Sequence, residues 1–276
     1  MRGVGLNLRL TTNLLDLIDQ ATRLNLPFFQ CFLTFQHNGQ YITFDKEEYL
    51  QFLLRKNNTI IYAHGSYKIN LANAAHRNDS YYFLKKELEI ARMLECNYLV
   101  VHPGSATEGH DHNQAIDNIA KRINKVLYRE DYPTILLENV AFGNKTIGGD
   151  IYDLAAIRSK LDKPERVHFC LDTAHAYSFG YNIANPVEQN AFIDLVEKLL
   201  GIESIALIHL NDTKEQCGIQ RDRHDIPGQG NIGTEALKQF ILDPRLKQIP
   251  LMLELSVLPE EKLKAIVDEV NSWRNI

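Results

Sequence analysis

Cysteine is scarce: the chain has four in 276 residues, Cys31, Cys96, Cys170 and Cys217, and no C-x-x-C pair. That spacing excludes a disulfide framework and a cysteine zinc ribbon, so the four read as reduced core or near-surface thiols. No apolar run approaches the ~18 residues that span a bilayer. The start, Met1-Arg2-Gly3-Val4, lacks the apolar stretch of a signal peptide, so a soluble, cytoplasmic protein is expected. A glycine-rich G-x-G-x-x-G turn is also missing after the first apolar segment, which runs instead into Asn7-Leu8-Arg9-Leu10-Thr11-Thr12. A dinucleotide-binding sheet is thereby disfavoured. Basic surplus is absent too: the net charge is −5, which argues against a nucleic-acid partner unless bound metal supplies the positive field. Three divalent ions would bring about six positive charges into one cleft.

What is present is a globular composition, 45% hydrophobic and 24% charged, enough for a substantial core. Short runs rich in β-branched and aromatic residues alternate with longer amphipathic stretches, the pattern of βα units around a parallel sheet. Strands are expected near Val4–Leu8, Phe28–Leu33, Ile60–His64, Tyr98–His102, Ile135–Glu138, Val167–Asp172, Ile205–His209 and Leu251–Glu254. Helical spacing marks Asn78–Leu94, Asn113–Leu127, Glu188–Leu200, Glu235–Leu242 and Pro259–Trp273. Eight βα units need roughly 250 residues, so a single-domain (β/α)₈ TIM barrel, α/β in class, uses the whole chain. No internal linker or low-complexity tract suggests a second domain.

Six consecutive expected strands finish on, or run into, a residue able to bind a metal: His64, His102, Glu138, Asp172, His209 and Glu254. Strand C-terminal ends form the active-site rim of such a barrel, so these side chains converge there. Singly, each has an ordinary explanation: a rim histidine is commonly just hydrogen-bonded, Asp172 can cap the next turn, and Glu138 or Glu254 can pair with an arginine. Crowded together without cations, buried carboxylates and imidazoles are costly. His175, Asp222 and His224 lie in loops on the same rim. Nine imidazole and carboxylate donors without thiolate suit zinc, and manganese or iron less exclusively. They are too many for one tetrahedral ion; with a bridging carboxylate they suffice for three.

The motifs carrying these residues resemble those of the endonuclease IV family of abasic-site endonucleases. They are Ala63-His64-Gly65-Ser66-Tyr67-Lys68-Ile69-Asn70-Leu71, His102-Pro103-Gly104-Ser105, Leu137-Glu138-Asn139, Leu171-Asp172-Thr173-Ala174-His175-Ala176, His209-Leu210-Asn211-Asp212, Asp222-Arg223-His224 running on to Gly228-Gln229-Gly230-Asn231-Ile232-Gly233, and Leu253-Glu254-Leu255. The resemblance implies one zinc held by His64, His102 and Glu138, a second by Glu138, Asp172, His209 and Glu254, and a third by His175, Asp222 and His224. It further implies Glu138 as the catalytic, bridging carboxylate and zinc-activated hydroxide as the nucleophile. The implied reaction is hydrolysis of double-stranded DNA 5′ to an abasic site, leaving a 3′-hydroxyl, by a monomeric enzyme.

Other features carry less. The glycine-rich run Gly228–Gly233 either offers backbone N–H groups to a phosphate or is only a turn. Tyr67 matches a family position that touches DNA, although a tyrosine after a strand is ordinarily half-buried packing. Lys68, Lys145, Lys214, Arg221 and Arg223 are candidates for phosphate contact against a background of scattered surface charge. Glu108-Gly109-His110-Asp111-His112 looks metal-binding but matches no family ligand and is read as solvated. Before residue 60 the match is poorest: Asn7 stands where the family has a rim histidine, and Thr34-Phe35-Gln36-His37-Asn38-Gly39 lacks its wedging arginine, leaving Gln36 or His37 as substitutes. Ala174 replaces a frequent cysteine, and Leu255-Ser256 follows the last glutamate. These departures bear on substrate range and rate. The alternatives are a sugar isomerase or epimerase of the xylose-isomerase-like barrels, with one or two metals, and a catalytically silent DNA- or metal-binding module.

Overall fold

The computed structural model describes residues 3–10, 13–35, 39–73, 80–107 and 111–274. Eight strands, β1 (Val4–Leu8), β2 (Phe28–Phe32), β3 (Ile60–His64), β4 (Tyr98–Val101), β5 (Thr134–Glu138), β6 (Val167–Asp172), β7 (Ile205–His209) and β10 (Leu251–Leu253), close into a barrel in the order β1-β10-β7-β6-β5-β4-β3-β2. Every pairing in it is parallel. A short antiparallel ribbon, β8 (Asp212–Thr213) with β9 (His224–Asp225), stands outside it. The expected (β/α)₈ architecture is the observed one.

Three strands stop one residue before the expected end, β2 at Phe32, β4 at Val101 and β10 at Leu253, the last two for identifiable reasons. Pro103 has no N–H to continue a ladder, so β4 ends before His102. At the end of β10 the Glu254 N–H is taken by the Asn211 side-chain oxygen at 2.9 Å. The expected helices are found as α3 (Ser80–Met93), α4 (His112–Asn124), α7 (Pro186–Leu200), α8 (Thr234–Leu242) and α9 (Glu260–Trp273). Four more are added: α1 (Leu14–Arg23), α2 (Lys46–Lys56), α5 (Ile151–Arg158) and α6 (Thr173–Phe179). Side-chain caps start many of them: Asn13 for α1, Asp45 for α2, Asp111 in a capping box for α4, Asp150 for α5, and Asn185 followed by Pro186 for α7.

The pleat sorts each strand into an outward and an inward face. Outward residues such as Phe29, Ile61, Leu99, Leu137 and Phe169 join the large core beneath the helices. Inward residues Phe28, Tyr62, Val100, Leu136, Cys170, Leu207 and Met252 form a separate buried cluster that fills the barrel. Gly5 completes this floor, because a Cβ there would sit 2.6 Å from the Phe28 ring. Two residues further along each strand, on the same face, come Asn7, Gln30, His64, His102, Glu138, Asp172, His209 and Glu254. The rim is therefore an eight-membered polar ring directly above an apolar floor.

The proposed wedge residues Gln36 and His37 lie outside the described residues, as do Asn78 and Glu108, Gly109 and His110. Asp111 caps α4, and His112 Nε2 lies 2.6 Å from Asp153 Oδ1, so these two are committed to helix packing.

Candidate metal centre

Glu138 is the centre of the rim and is wholly buried. Its Oε2 lies 3.3 Å from His64 Nε2 and 3.0 Å from His102 Nε2; its Oε1 lies 2.9 Å from His209 Nδ1 and 3.4 Å from His175 Nδ1. One carboxylate thus faces two separate pairs of imidazoles with different oxygens. No arginine pairs with it among the described residues.

The remaining donors arrange around this bridge. His209 Nδ1 is 3.4 Å from Glu254 Oε2 and 3.8 Å from Asp172 Oδ2. Asp222 Oδ1 lies 3.3 Å from His175 Nε2 and 3.2 Å from His224 Nε2. The ribbon delivers that last pair: Thr213 faces His224 across it, turning the chain back over the rim. Donor atoms fall within 4.8 Å of one another in the sets His64/His102/Glu138, Glu138/Asp172/His209/Glu254 and Asp172/His175/His224. All nine candidate ligands are brought to one place, and the third set differs from expectation by including Asp172 beside the imidazoles that Asp222 approaches.

Asp172 does cap the following turn, accepting His175 N–H on Oδ1 at 2.7 Å, yet Oδ2 still points into the cluster. One side chain thus caps the turn and still turns an oxygen toward the other donors.

Residues behind the donors orient them. His64 Nδ1 is 2.9 Å from the Gly65 carbonyl and His175 Nδ1 is 2.9 Å from the Asn139 carbonyl, which leaves each Nε2 facing inward. Asn139 also brackets Asp172, accepting its N–H at 2.7 Å and donating to its carbonyl at 3.1 Å. Asn211 donates to Asp172 Oδ2 at 2.7 Å. Gln30, buried and unmarked by any motif, lies 2.9 Å from His209 Nε2 and donates to Glu254 Oε1 at 2.8 Å.

The electrostatics are those of a mutually neutralising array. Burial pushes Glu138 upward, but the surrounding imidazoles, His209 and His102 foremost, hold its carboxyl well below the usual range. Glu254 is lowered against the same burial by His209. Burial depresses His64, His175 and His209; neighbouring carboxylates more than reverse this for His64 and His175, and Cys170 with Glu254 and Glu138 does so for His209, so all three are raised. Asp222, despite burial, is lowered chiefly by the His175 imidazole beside it. Cys170 also comes near Glu138 and His209, but burial pushes its thiol to about 12, so it remains neutral at pH 7.

Whether the array suits a metal is tested by the atoms it leaves unmatched. His175 Nε2 and His224 Nε2 are buried, aim at Asp222, and have no hydrogen-bond partner. Two buried nitrogens converging on one carboxylate oxygen without hydrogen-bond geometry are poorly satisfied, and a cation between them would take their lone pairs. With four carboxylates, five imidazoles and no lysine or arginine among the nine donors, the set fits divalent metal ions.

The glycine-rich run serves a different purpose from phosphate binding. The Asp212 carboxylate, fully buried, accepts the N–H groups of Thr213 at 2.8 Å, Ile232 at 2.9 Å, Gly228 at 3.0 Å and Gly233 at 3.1 Å. Three of those donors belong to the run, so they face an internal anion. A Cβ at Gly230 would lie 2.4 Å from Asp212 Oδ1, which explains the glycine.

Tyr67 is not half-buried: it is 76% exposed, standing over the mouth with its ring 5.7 Å from Phe32 and 6.0 Å from His102. Its loop is held from beneath by Glu87, whose carboxylate accepts the Ser66 N–H at 3.0 Å and is pushed up to about 7 by burial. Lys68 donates to the Gly39 carbonyl at 2.7 Å and Arg223 pairs with Glu215 at 3.3 Å, while Lys145, Lys214 and Arg221 are exposed. The cysteines are free thiols. No helix among the described residues is long and apolar enough to cross a membrane.

Comparison with known proteins gives the same direction. A family model described as xylose isomerase-like TIM barrel matches residues 18–276. The probable endonuclease 4 of Thermosipho africanus is 38% identical over 193 residues, 69% of this chain and 68% of the relative. That of Mycoplasma genitalium is 31% identical over 241 residues, 85% of this chain and 81% of the relative. Among solved structures, endonuclease IV from Thermus thermophilus matches with a TM-score of 0.84 at 28% identity over 99% of both chains. A D-tagatose 3-epimerase-like protein matches with a TM-score of 0.74 at 20% identity over 99% of this chain and 98% of the other, a likeness of fold alone. On the family model and these relatives, the chain belongs to the endonuclease IV family of xylose isomerase-like barrels.

Proposed function

We propose that this protein is a zinc-dependent endonuclease that hydrolyses the phosphodiester bond 5′ to an abasic site in double-stranded DNA, leaving a 3′-hydroxyl. The observation that carries the reading is the split carboxylate of Glu138, one oxygen toward His64 and His102 and the other toward His209 and His175. His64, His102 and Glu138 would hold one ion, Glu138, Asp172, His209 and Glu254 a second, and His175, Asp222 and His224 a third. Bound zinc supplies charge neutralisation on the phosphoryl oxygens and lowers the pKa of water.

The chain supplies the rest. Glu138 keeps the two halves of the site at a fixed separation and orients the attacking water. Tyr67, exposed over the mouth, offers a ring face to a nucleotide drawn toward the rim. An abasic nucleotide makes no base pair and little stacking, so extruding it costs less than extruding a paired base. Lys68, Arg221 and Arg223 would contact the flanking backbone, with Lys145 and Lys214 beside them; the acidic net charge makes the metal cluster the main attraction for phosphate. We read the working unit as a monomer.

The quartet Glu138, Asp172, His209 and Glu254 would by itself serve a one-metal sugar isomerase, but that leaves the unpartnered His175 and His224 nitrogens unexplained. The deciding experiment is zinc content per chain together with cleavage of a duplex carrying one abasic-site analogue. About three zinc ions with a nick 5′ to the analogue is the expected result. One or two ions without cleavage would favour the isomerase.

A further inference from the structure

We infer that Gln30 is a positioning residue that presents His209 and Glu254 to the metal they share, through two hydrogen bonds made by one buried amide. The inference rests on the zinc reading above. Gln30 is the rim residue of β2 and has no exposed surface. Its Oε1 lies 2.9 Å from His209 Nε2, and its Nε2 lies 2.8 Å from Glu254 Oε1 and 3.5 Å from Asn7 Oδ1.

Only one orientation of the amide satisfies these partners. Glu254 is an acceptor, so the NH₂ group must face it; the carbonyl oxygen is then left for His209, and a carbonyl can only accept. His209 must therefore carry its proton on Nε2. In a neutral imidazole the lone pair then sits on Nδ1, the atom that faces Glu138 Oε1 at 2.9 Å, Glu254 Oε2 at 3.4 Å and Asp172 Oδ2 at 3.8 Å. With Oε1 of Glu254 engaged by Gln30, its Oε2 is the oxygen turned to the same point.

The device differs from those behind the neighbouring imidazoles. His64 and His175 are fixed by the backbone carbonyls of Gly65 and Asn139, which no substitution removes. His209 is fixed by a side chain, and Asn7, the register partner of Gln30 on β1, receives the amide's other proton. The two strands that contribute no metal donor, β1 and β2, thus contribute the support for donors at the ends of β10 and β7, the next two strands round the barrel from β1.

The test is ¹⁵N NMR of the zinc-loaded full chain labelled at histidine, with the His209 signals assigned by their loss in His209→Asn. The expected spectrum shows His209 protonated at Nε2 and metallated at Nδ1; metal on Nε2 would overturn the inference without touching the zinc reading. Absence of zinc from the wild-type protein would instead overturn the reading beneath it. In parallel, Gln30→Leu is expected to bind one of its zinc ions ~10–100-fold more weakly in a chelator competition, the usual scale for an outer-sphere partner. Gln30→Glu, which can still accept from His209, should keep the wild-type protonation of that ring. Wild-type zinc affinity at every ion in Gln30→Leu would refute the assignment, and if that variant does not fold the wild-type spectrum still decides.

Discussion

Two residues along each barrel strand separate the floor of the interior from its rim, and the two layers are stabilised in opposite ways. The floor, from Phe28 and Tyr62 round to Met252, is packed hydrocarbon with one thiol, one thioether and one phenol. Its Phe28 and Tyr62 rings meet edge-on at 5.9 Å, and nothing there asks for a ligand. The rim, on the same inward face of the same strands, is eight polar side chains of which Gln30, Glu138 and His209 have no exposure. One layer is stable through removal from water; the other is tolerable only through charges that cancel one another. Stability and chemistry are thus segregated along the strand axis, so they should be separable by mutation.

The largest expected effect is at the centre of the rim. Glu138→Gln keeps the shape of the bridge and removes its charge, and should lower cleavage of an abasic duplex by roughly 10²–10⁴-fold. Circular dichroism of the variant should remain that of the wild type; a variant that cleaves normally would remove Glu138 from the mechanism. The counterpart one layer down is Leu207→Ala. A buried leucine truncated in a packed floor costs about 2–5 kcal/mol, to be read from denaturant unfolding, while turnover at 25 °C stays near wild type. If the floor variant lost activity in proportion to stability, the two layers would not be independent.

Gly230→Ala addresses the loop that brings Asp222 and His224 to the rim. A methyl group 2.4 Å from both Asp212 Oδ1 and the Thr213 carbonyl must displace one of them. About 1–3 kcal/mol is the usual cost of such crowding, and zinc analysis should show about one equivalent lost. Full metal content would mean that Asp212 does not organise the loop.

A smaller effect is a trend with pH. In the zinc-free protein His64, His175 and His209 are raised above the ordinary value of 6.5. Their contribution to stability is present below that value and is lost as pH rises through the raised ones. Glu138 and Glu254, lowered from 4.5, contribute above that value and are lost only as pH falls through their depressed ones. Zinc displaces the imidazole protons, so it binds better as pH rises. The melting-temperature gap between zinc-loaded and chelator-treated protein should therefore widen from pH 6.5 upward. A gap that narrowed would mean that the imidazoles are not the ligands.

The same offset of two residues explains what the sequence made legible. His64, His102, Glu138, Asp172, His209 and Glu254 stood out because ligand-type side chains recurred at strand ends. Gln30 and Asn7 occupy equivalent positions but carry amides, which have no such signature; Asn7 was visible only as a departure from the family's rim histidine, and counting two residues on from Phe28 would have found Gln30. Helix α1 was not among the expected helices, although it carries a stripe in Leu14, Leu17, Ile18 and Ala21 behind the Asn13 cap. Helix α6 carries none, because Thr173 through Ser178 are all buried and no polar face exists. The glycine-rich run was legible as a turn, but its purpose depended on Asp212, an acid some twenty residues away whose burial only the fold reveals.

The packed floor has one more consequence, which concerns traffic. Because Phe28, Tyr62, Leu136 and Met252 fill the barrel beneath the rim, the candidate metal centre is a cup closed from below. Substrate and product then use the same upper side of the barrel, where Tyr67 stands exposed. A product that lingers there blocks the next substrate, and a chelator must use the same door, so a bound duplex should slow the stripping of zinc.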